Sequence, residues 1–484
     1  MDVSTKRAST NGSVEHFDAI VIGGGPGGST LATILAMRGH KILLLERESF
    51  PRYQIGESLL PSTTGAIGHL LGITDELARA GFPIKRGGSW YWGRRKETWT
   101  FDFTQSEVPG VVNAYQVERA KFDEILLRNA ARKGVDVRER HPVTAILQED
   151  GRVVGVRYGT PDGGTREARA RIVADASGHS SPFHRIVGER VVADFFRNVS
   201  LFGYFRGGQR MPEPNDGNIL VVSMEKGWVW YIPLAPDLTS VGVVMPQQNA
   251  AILKKGHEQA MNELLDGCPL IKGMLEGVPR VTEGIYGQYR VRKDWSYCNS
   301  KFWKPGMVLV GDTACFVDPL FSSGVHLSTY AALLAARSIH TTLLGEVDEA
   351  ACFTEYERRY RAEYMIFYRF LQFFYDSNND QEDYFRAAHE VLGDEKYEED
   401  RQAFVRLVAG FGTGPDVQAL AGASAPPSET KRIPLDAVFG IPSWLDVTSA
   451  SGLGAKGPYL PGADALSISA DGFRWVAQRP AESA

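Results

Sequence analysis

The sequence predicts a mixed α/β protein (α+β overall) with a Rossmann-like nucleotide-binding domain, an antiparallel-sheet domain and a helical C-terminal region. Residues 17–46 carry the pattern of a complete strand-helix-strand unit with a glycine-rich turn. A short aromatic strand at 227–233 ends in proline and indicates a second sheet of a different kind. Residues 351–411 repeat aromatic and charged side chains at helical spacing, which predicts two or three helices.

The strand-helix-strand unit predicts a dinucleotide site. Its strands are expected at 17–22 and 41–45, with the helix at 29–38 between them. Glycines at such a turn let the backbone approach a pyrophosphate, and the helix N-terminus offers free N–H groups to the anion. The acidic residue after the second strand is expected to bind ribose hydroxyls. The residues assigned to this site are Gly23, Gly25, Pro26, Gly27, Gly28, Glu46 and Arg47.

Three later segments resemble further cofactor contacts of the p-hydroxybenzoate-hydroxylase-like flavoproteins. Arg119 opens a helix after Tyr115-Gln116-Val117-Glu118, Asp175 follows a buried strand, and Gly311-Asp312 follows another at 307–310. Each segment alone is equally explained by a capped loop between a strand and a helix. Together with the first fingerprint, they imply FAD as the cofactor.

Composition limits the other classes of function. The net charge of −5 comes without a basic stripe, which argues against a nucleic-acid partner. No apolar run reaches the length of about 18 residues that a membrane span requires, and the first sixteen residues lack a signal-peptide pattern, so a cytoplasmic protein is expected. The four cysteines have no C-x-x-C spacing and histidines are not clustered, so neither a metal site nor a disulfide framework is expected.

The chain carries one complete dinucleotide fingerprint. Later Gly-Gly pairs lack the strand-then-helix context. We therefore expect no dedicated nicotinamide domain, and a separate flavin reductase as the source of reduced FAD.

The aromatic strand Gly227-Trp228-Val229-Trp230-Tyr231-Ile232-Pro233 resembles the Trp-x-Trp-x-Ile-Pro signature of flavin-dependent halogenases. Residues 52–61, 80–88, 290–297 and 311–327 extend the resemblance to the members that chlorinate phenols in glycopeptide-antibiotic assembly, and it covers about residues 17–380. Because residues two apart on a strand share a face, Trp228 and Trp230 are expected to form one aromatic wall. A core strand with two tryptophans is the simpler alternative.

The family resemblance implies a reaction that consumes reduced FAD, O2 and chloride. A flavin hydroperoxide is attacked by halide to give hypochlorous acid, which a lysine presents to the aromatic substrate. Lys85 matches that lysine, and Phe82-Pro83-Ile84, Trp90 and Trp92 around it suggest an apolar pocket, with flexible backbone at Gly87-Gly88. Burial of that kind favours the neutral amine. The alternative is a solvated loop lysine.

Ser323 and Gly324 precede the helix expected at 324–340 and are assigned to halide binding and to the flavin edge, because a helix N-terminus attracts anions. Serine capping of the helix is a compatible alternative. Phe321 stands where the tryptophan-chlorinating relatives carry a catalytic glutamate. A phenol activates itself through its own oxygen, so this difference points to a phenolic substrate, and the tryptophan wall is expected to keep that ring from being hydroxylated.

The expected domains are a discontinuous FAD-binding domain at 15–185 with 290–345, a substrate-side sheet at 186–289, and a C-terminal region at 346–484. The leading function is chlorination of a tyrosine- or hydroxyphenylglycine-derived ring, tethered to a carrier protein that docks on Arg358, Arg359 and Arg361 rather than on the acidic stretch 394–400. An aromatic hydroxylase and a non-catalytic redox sensor remain as alternatives. Residues 410–428 suggest a linker, and the last sixty residues cannot be placed from sequence.

Overall fold

Parallel strands form the centre of the first sheet in this computed structural model, which describes residues 14–108, 110–392, 399–412 and 466–477. The sheet order is β16-β17-β10-β1-β2-β7, and β8 and β9 extend it as an antiparallel ribbon from β10. Its strands are β1 (Glu15–Ile22), β2 (Ile42–Leu45), β7 (Asp136–Arg138), β8 (Val143–Glu149), β9 (Arg152–Gly159), β10 (Thr165–Asp175), β16 (Trp303–Lys304) and β17 (Met307–Leu309).

The carboxyl ends of the parallel strands meet at one edge of this sheet. Ile22 pairs with Leu45 of β2 and with Asp175 of β10, and Asp175 pairs with Leu309 of β17. The segments that follow these strands are therefore brought together, although they are far apart in the chain. Ligands of open α/β sheets bind at this edge.

The second sheet is antiparallel apart from one parallel pairing, between β4 and β12. Its order is β18-β15-β11-β14-β13-β12-β4-β5. Its strands are β4 (Gly87–Tyr91), β5 (Thr98–Asp102), β11 (Arg190–Arg206), β12 (Ile219–Met224), β13 (Gly227–Ala235), β14 (Leu238–Pro246), β15 (Arg290–Asn299) and β18 (Cys315–Phe316). Two short pairs, β3 (Ile84–Lys85) with β6 (Ala114–Tyr115) and β19 (Ser467–Ile468) with β20 (Trp475–Val476), lie apart from the two large sheets.

This sheet crosses the domain boundaries expected from sequence. Residues 87–102, 290–299 and 315–316 were expected in the FAD-binding domain, yet they pair with strands of the 186–289 segment. A Cβ at Gly87 would lie 1.8 Å from the carbonyl oxygen of Phe101, so β4 pairs with β5 only because it has no side chain there.

The helices cover both sheets, and none of the described ones is long and apolar enough to span a membrane. They are α1 (Pro26–Met37), α2 (Gly68–Leu71), α3 (Thr74–Arg79), α4 (Arg119–Arg132), α5 (His184–Val187), α6 (His257–Asp266), α7 (Pro269–Met274), α8 (Ser323–Leu344), α9 (Glu349–Phe374), α10 (Gln381–Leu392) and α11 (Asp400–Val408). The three helices α9 to α11 confirm the helical prediction for 351–411. Tyr364, Tyr368, Phe370 and Phe374 are buried, as a core-facing stripe requires.

Part of the C-terminal tail returns to the body of the protein. Trp475 is fully buried, and its indole N–H donates to Ser338 of α8 at 2.8 Å. The guanidinium groups of Arg337 and Arg359 lie 4.7 and 4.9 Å from its ring centre. The remainder of the expected linker at 410–428, beyond residue 412, and the apolar piece at 441–445 lie outside the described residues.

Candidate functional site

A cavity of about 650 Å³ extends from the glycine-rich turn after β1 to the two tryptophans of β13. Its walls come from the loops at the carboxyl edge of the first sheet, from residues 52–58, and from the first turn of α8. Sequence segments predicted to bind a cofactor and segments predicted to face the substrate therefore border one continuous space.

The glycine-rich turn is built for close backbone approach. Gly23 has a φ of +100°, and a Cβ at Gly28 would lie 1.9 Å from the carbonyl oxygen of Gly23. A Cβ at Gly27 would lie 2.5 Å from the Ser328 hydroxyl, so this glycine allows α1 to pack against α8. No side chain caps the N-terminus of α1, which begins at Pro26. Of these glycines, Gly23 and Gly27 border the cavity, whereas Gly28 supports the turn from behind.

Glu46 borders the same end of the cavity and is held by the backbone. Its carboxylate accepts the Gly24 N–H at 2.7 Å and the Glu48 N–H at 2.8 Å. Each oxygen keeps a second lone pair that can accept from a hydroxyl. Arg47 and Gly25 also line this end. An uncapped helix N-terminus beside a glycine cradle and a fixed carboxylate fit a dinucleotide such as FAD.

Arg119 and Asp312 line the middle of the cavity. Arg119 is fixed by two hydrogen bonds to Asp123, at 2.7 and 3.0 Å. Burial raises the pKa of Asp312 to about 6, although Arg119 and Arg190 act in the opposite direction. Its backbone carbonyl accepts the Tyr297 hydroxyl, which fixes the turn that carries it. Contact of both residues with the cofactor stays a prediction.

Asp175 and Gly311 are not among the residues that line the cavity, and their direct contact with the cofactor stays a prediction. The Asp175 carboxylate is fully buried and accepts from Ser177, at 3.0 Å for N–H and 2.6 Å for O–H, and from the Ser181 hydroxyl. It thereby shapes the loop at 176–182, which does line the cavity. Gly311, at φ +65°, allows α8 to pack closely, because a Cβ there would lie 2.4 Å from the Ser328 hydroxyl.

Trp228 and Trp230 form the predicted aromatic wall. Both line the cavity, with ring centres 6.1 Å apart. The Trp228 indole N–H donates to the Tyr375 hydroxyl at 2.8 Å, and Tyr375 donates to Asp318 at 2.8 Å. The Trp230 indole N–H donates to Ser240 at 3.1 Å. Because both indoles have fixed partners, their orientation is set by residues outside the strand.

The first turn of α8 reaches the cavity through Gly324. Ser322 adopts a left-handed conformation at φ 59°, and the helix begins at the next residue, Ser323, one residue earlier than predicted. No side chain caps this helix, so the serine-capping alternative is not supported. The Ser323 hydroxyl is buried and has no hydrogen-bond partner among the described residues, and Ser323 does not line the cavity.

Lys85 is buried, and burial lowers its pKa from 10.5 to about 7. The expectation of an apolar setting is therefore confirmed, and a solvated lysine is excluded. Its Nζ donates to the Leu59 carbonyl at 2.9 Å and lies 5.5 Å from the centre of the Phe103 ring. Lys85 is part of strand β3, and Gly87-Gly88 belong to a strand, so the expected flexible backbone is wrong. Lys85 is not among the residues that line the cavity.

Glu57 is a functional candidate that sequence reasoning missed. It lines the cavity and is fully buried, and burial raises its pKa to about 7. One carboxyl oxygen accepts the Tyr204 hydroxyl at 2.7 Å, whereas Oε2 has no hydrogen-bond partner among the described residues. Tyr204 in turn lies 2.8 Å, hydroxyl to hydroxyl, from Tyr53. The available signal was Glu57 itself, an acidic residue inside the apolar segment Ile55 to Pro61.

Phe321 belongs to a cluster of aromatic side chains. Its ring stacks on Phe370, with centres 5.0 Å apart, and lies 4.7 Å from Phe374 and 5.3 Å from Trp90. The residue is buried. Replacing it with a glutamate would place a carboxylate among these rings, at a cost of several kcal/mol unless the group is neutralised.

Comparison with known proteins identifies the family. The family model described as tryptophan halogenase matches residues 18–112 and 104–459. The chain belongs to the flavin-dependent halogenases. A tryptophan 2-halogenase from Chondromyces crocatus is 36% identical over 385 residues, which span 77% of this chain and 71% of that protein.

Two further relatives of this halogenase widen the range of substrates and halides. The solved structure of the myxobacterial chondrochloren halogenase is 49% identical, with a TM-score of 0.78, and the match covers 96% of this chain and 100% of that one. A 1H-pyrrole-2-carbonyl-peptidyl-carrier-protein brominase from Pseudoalteromonas luteoviolacea (strain 2ta16) is 29% identical over 335 residues, 68% of this chain and 79% of that protein.

Family membership makes this halogenase an enzyme that uses FAD, O2 and a halide. The hydroxylase and redox-sensor alternatives are therefore set aside. Halogenases of this kind generally depend on a flavin reductase, in agreement with the single dinucleotide fingerprint.

The arginines expected to dock a carrier protein are engaged within the chain. Arg358 and Arg359 both pair with Glu355, at 2.7 and 2.6 Å. Arg361 pairs with Glu357 at 2.6 Å and also donates to Asn299. These side chains hold α9 and its neighbours, and docking of a carrier protein on them stays a prediction. The acidic stretch at 394–400, which was not expected to dock a carrier protein, lies mostly outside the described residues.

Proposed function

We propose that this halogenase chlorinates a phenolic ring derived from tyrosine or hydroxyphenylglycine. The observation that carries the proposal is the position of Phe321, stacked on Phe370 with the ring centres 5.0 Å apart. An indole carbon needs help to lose its proton during substitution, whereas a phenol releases electron density from its own oxygen. A loop that ends in a packed phenylalanine suits the second kind of ring.

Formation of the oxidant is assigned to the cavity, and its presentation to the substrate is assigned to Lys85. Reduced FAD bound at the glycine-rich end would supply the electrons that reduce O2 while chloride is oxidised to hypochlorous acid. Gly23, Glu46, Arg119 and Asp312 are the residues that would hold it. Lys85 is not among the residues that line the cavity, and its pKa of about 7 gives a mixture of amine and ammonium near neutral pH. The ammonium can donate a hydrogen bond to hypochlorous acid, and the amine can accept its chlorine.

The halide is proposed to bind at the first turn of α8. Gly324 borders the cavity there, and the helix has no side-chain cap. Uncapped N–H groups and the helix dipole favour an anion. This arrangement supports halide binding beside the tryptophan wall.

Trp228 and Trp230 are proposed to separate the site of oxidant formation from the substrate. Two indoles with fixed hydrogen-bond partners make a rigid barrier that a small oxidant can pass and an aromatic ring cannot. Such a barrier favours halogenation over direct hydroxylation of the ring.

We further propose that the ring arrives tethered to a carrier protein. The likeness to the pyrrole-carrier-protein brominase supports this, because that enzyme's named substrate is carrier-bound. The docking surface is left open, since the three arginines of α9 are paired within the chain.

One assay tests the substrate proposals together. The enzyme is supplied with a flavin reductase, FAD, O2 and chloride, and offered free tyrosine, hydroxyphenylglycine, tryptophan, or the same phenolic amino acids loaded on a carrier domain. The expected product is the carrier-bound phenol with chlorine in place of one hydrogen, recognised by its mass and isotope pattern. Chlorinated tryptophan as the preferred product would overturn the phenol proposal, and equal chlorination of free and loaded amino acids would overturn tethering. A parallel reaction with bromide tests the choice of halide.

A further inference from the structure

Cys298 and Cys315 face each other across two antiparallel strands. They are register partners in the pairing of β15 with β18. The neighbouring pair, Asn299 and Ala314, is joined by an N–H to carbonyl bond of 2.8 Å, so the two cysteines occupy the adjacent non-hydrogen-bonded pair. Cα atoms at such a pair are about 4.5 Å apart, which lies within the range of about 4.4–6.8 Å that disulfides span.

The surroundings of the pair differ from those of the other two cysteines. Arg361 of α9 donates to the Cys298 sulfur at 3.0 Å. Burial by itself raises the pKa of Cys298, but the hydrogen bond from the Cys315 thiol and the nearby guanidinium outweigh it and lower that pKa. Burial raises the pKa of Cys315 well above its ordinary value, so Cys315 keeps its proton. A thiol with a lowered pKa beside a thiol that keeps its proton is the arrangement of an oxidisable dithiol.

We infer that Cys298 and Cys315 form a peroxide-sensitive dithiol that closes to a reversible disulfide within this chain. Neither the spacing of the cysteines in the sequence nor the family assignment indicates this pair, because only the strand register brings the two residues together. The pair also lies next to the oxidative site, since the adjacent residues Tyr297 and Phe316 both line the cavity.

The oxidant is hydrogen peroxide, and the reaction has two steps. The Cys298 thiolate attacks one peroxide oxygen, and the O–O bond breaks to give a sulfenic acid and hydroxide. The Cys315 sulfur then attacks the sulfenic sulfur, the S–O bond breaks, and the proton of Cys315 leaves with the departing oxygen as water. Two thiols are oxidised by two electrons in total, and one peroxide is reduced to two waters.

The disulfide would constrain a functional part of the wall. The segment between the two cysteines contains β16, β17 and the cavity residue Asp312. Formation of the disulfide also changes the Cys298 sulfur that Arg361 contacts. We expect the oxidised protein to unfold at a temperature a few degrees higher, because the crosslink restricts the unfolded chain.

Thiol counting on the full chain tests the inference. The purified, reduced protein is treated with a few equivalents of hydrogen peroxide, denatured and alkylated, and its intact mass is measured. Two of the four cysteines should escape alkylation, and non-reducing peptide mapping should show the 298–315 crosslink. Dithiothreitol should restore alkylation of all four.

Matched variants separate this pair from general oxidation. Cys315→Ser should abolish the crosslink and leave a dimedone-reactive sulfenic acid on Cys298, whereas Cys268→Ser and Cys352→Ser should crosslink as the unmodified chain does. The inference is overturned if the unmodified chain shows no 298–315 crosslink after peroxide. Unchanged loss of two thiols in Cys315→Ser would overturn it equally. None of these readouts depends on halogenation, so they stand apart from the proposed substrate.

Discussion

The ammonium of Lys85 donates to the backbone carbonyl of Leu59, with 2.9 Å between nitrogen and oxygen. This bond joins two motifs that are separate in sequence, the lysine segment and residues 52–61. Glu57 and Ser58, which precede Leu59, line the cavity. The segment that carries Glu57 and Ser58 is therefore fixed to the lysine itself.

Lys85→Met should abolish halogenated product while FAD binding and O2 consumption continue. Methionine fills the volume but has no amine to present the oxidant. Product is measured by mass spectrometry and O2 uptake with an electrode. Lys121→Met is the matched control, because Lys121 also donates to a backbone carbonyl but is exposed. Halogenation at the unmodified level in Lys85→Met would refute the assignment.

Lys85 should also make stability depend on pH. Its pKa is about 7 in the folded protein, against an ordinary value of 10.5. Between these values the unfolded chain binds more protons, so the free energy of unfolding should rise with pH by up to about 1.4 kcal/mol per unit. The free energy of unfolding of Lys85→Met lacks this rise with pH. Its excess over the free energy of unfolding of the unmodified chain should therefore shrink between about pH 7 and about pH 10. Urea midpoints across that range provide the measurement, and parallel curves for the two proteins would contradict it.

Glu57→Gln should show the opposite trend. Burial raises the carboxyl pKa from 4.5 to about 7, so the folded protein binds more protons than the unfolded chain between those values. The free energy of unfolding should therefore fall as pH rises through that window, by up to about 1.4 kcal/mol per unit, and level off above it. Glutamine keeps an acceptor for Tyr204 but does not titrate. The free energy of unfolding of the variant should therefore rise relative to that of the unmodified chain up to about pH 7.

Urea midpoints from acidic to neutral pH check this expectation. Glu118→Gln is the control, because its carboxylate also accepts from a tyrosine, Tyr286, at 2.9 Å but is only half-buried. The same pH trend in both variants would mean that Glu57 is not the titrating group.

Tyr375→Phe tests the orientation of the tryptophan wall. The substitution leaves the Trp228 indole N–H without its partner, which costs about 1–3 kcal/mol for a buried donor. We expect less chlorinated product per O2 consumed and a new hydroxylated product, because the ring is no longer excluded. Mass spectrometry distinguishes the two products. Unchanged product yield and no hydroxylation would show that the wall does not depend on this bond.

The holoprotein should not accept hydride directly at a useful rate. One dinucleotide fingerprint is present, and FAD is expected to occupy it. Stopped-flow mixing of the oxidised holoprotein with NADH or NADPH should leave the flavin absorbance nearly unchanged on the timescale of turnover, and adding a flavin reductase should bleach it. Rapid bleaching without the reductase would mean that a nicotinamide site is present.

Local patterns predicted those parts of the fold that local physics decides. The strand, turn and helix at 17–46 follow from glycine spacing and apolar runs, and α1 differs only by beginning at Pro26. The wall of Trp228 and Trp230 follows from the alternation of a strand. Burial of Lys85 follows from its apolar neighbours.

Pairing between distant segments was beyond the reach of those patterns. The parallel contact of β4 with β12, the position of Cys298 opposite Cys315 and the ion pairs of Arg358 all depend on which surfaces meet after folding. Glu57 was missed for a related reason: an acidic residue in a short apolar segment gains meaning only when the structure places Tyr204 beside it.

The packing of Trp475 on α8 lets residues 466–477 hold that helix in place. The tail fastens the far half of a helix whose first turn borders the cavity, through Ser338 and, by the backbone N–H of Trp475, Thr341 at 2.9 Å. A fusion added after this segment leaves the fastening intact. A truncation that removes it leaves Ser338 and Thr341 without these partners, at the opposite end of the helix that carries the proposed halide site.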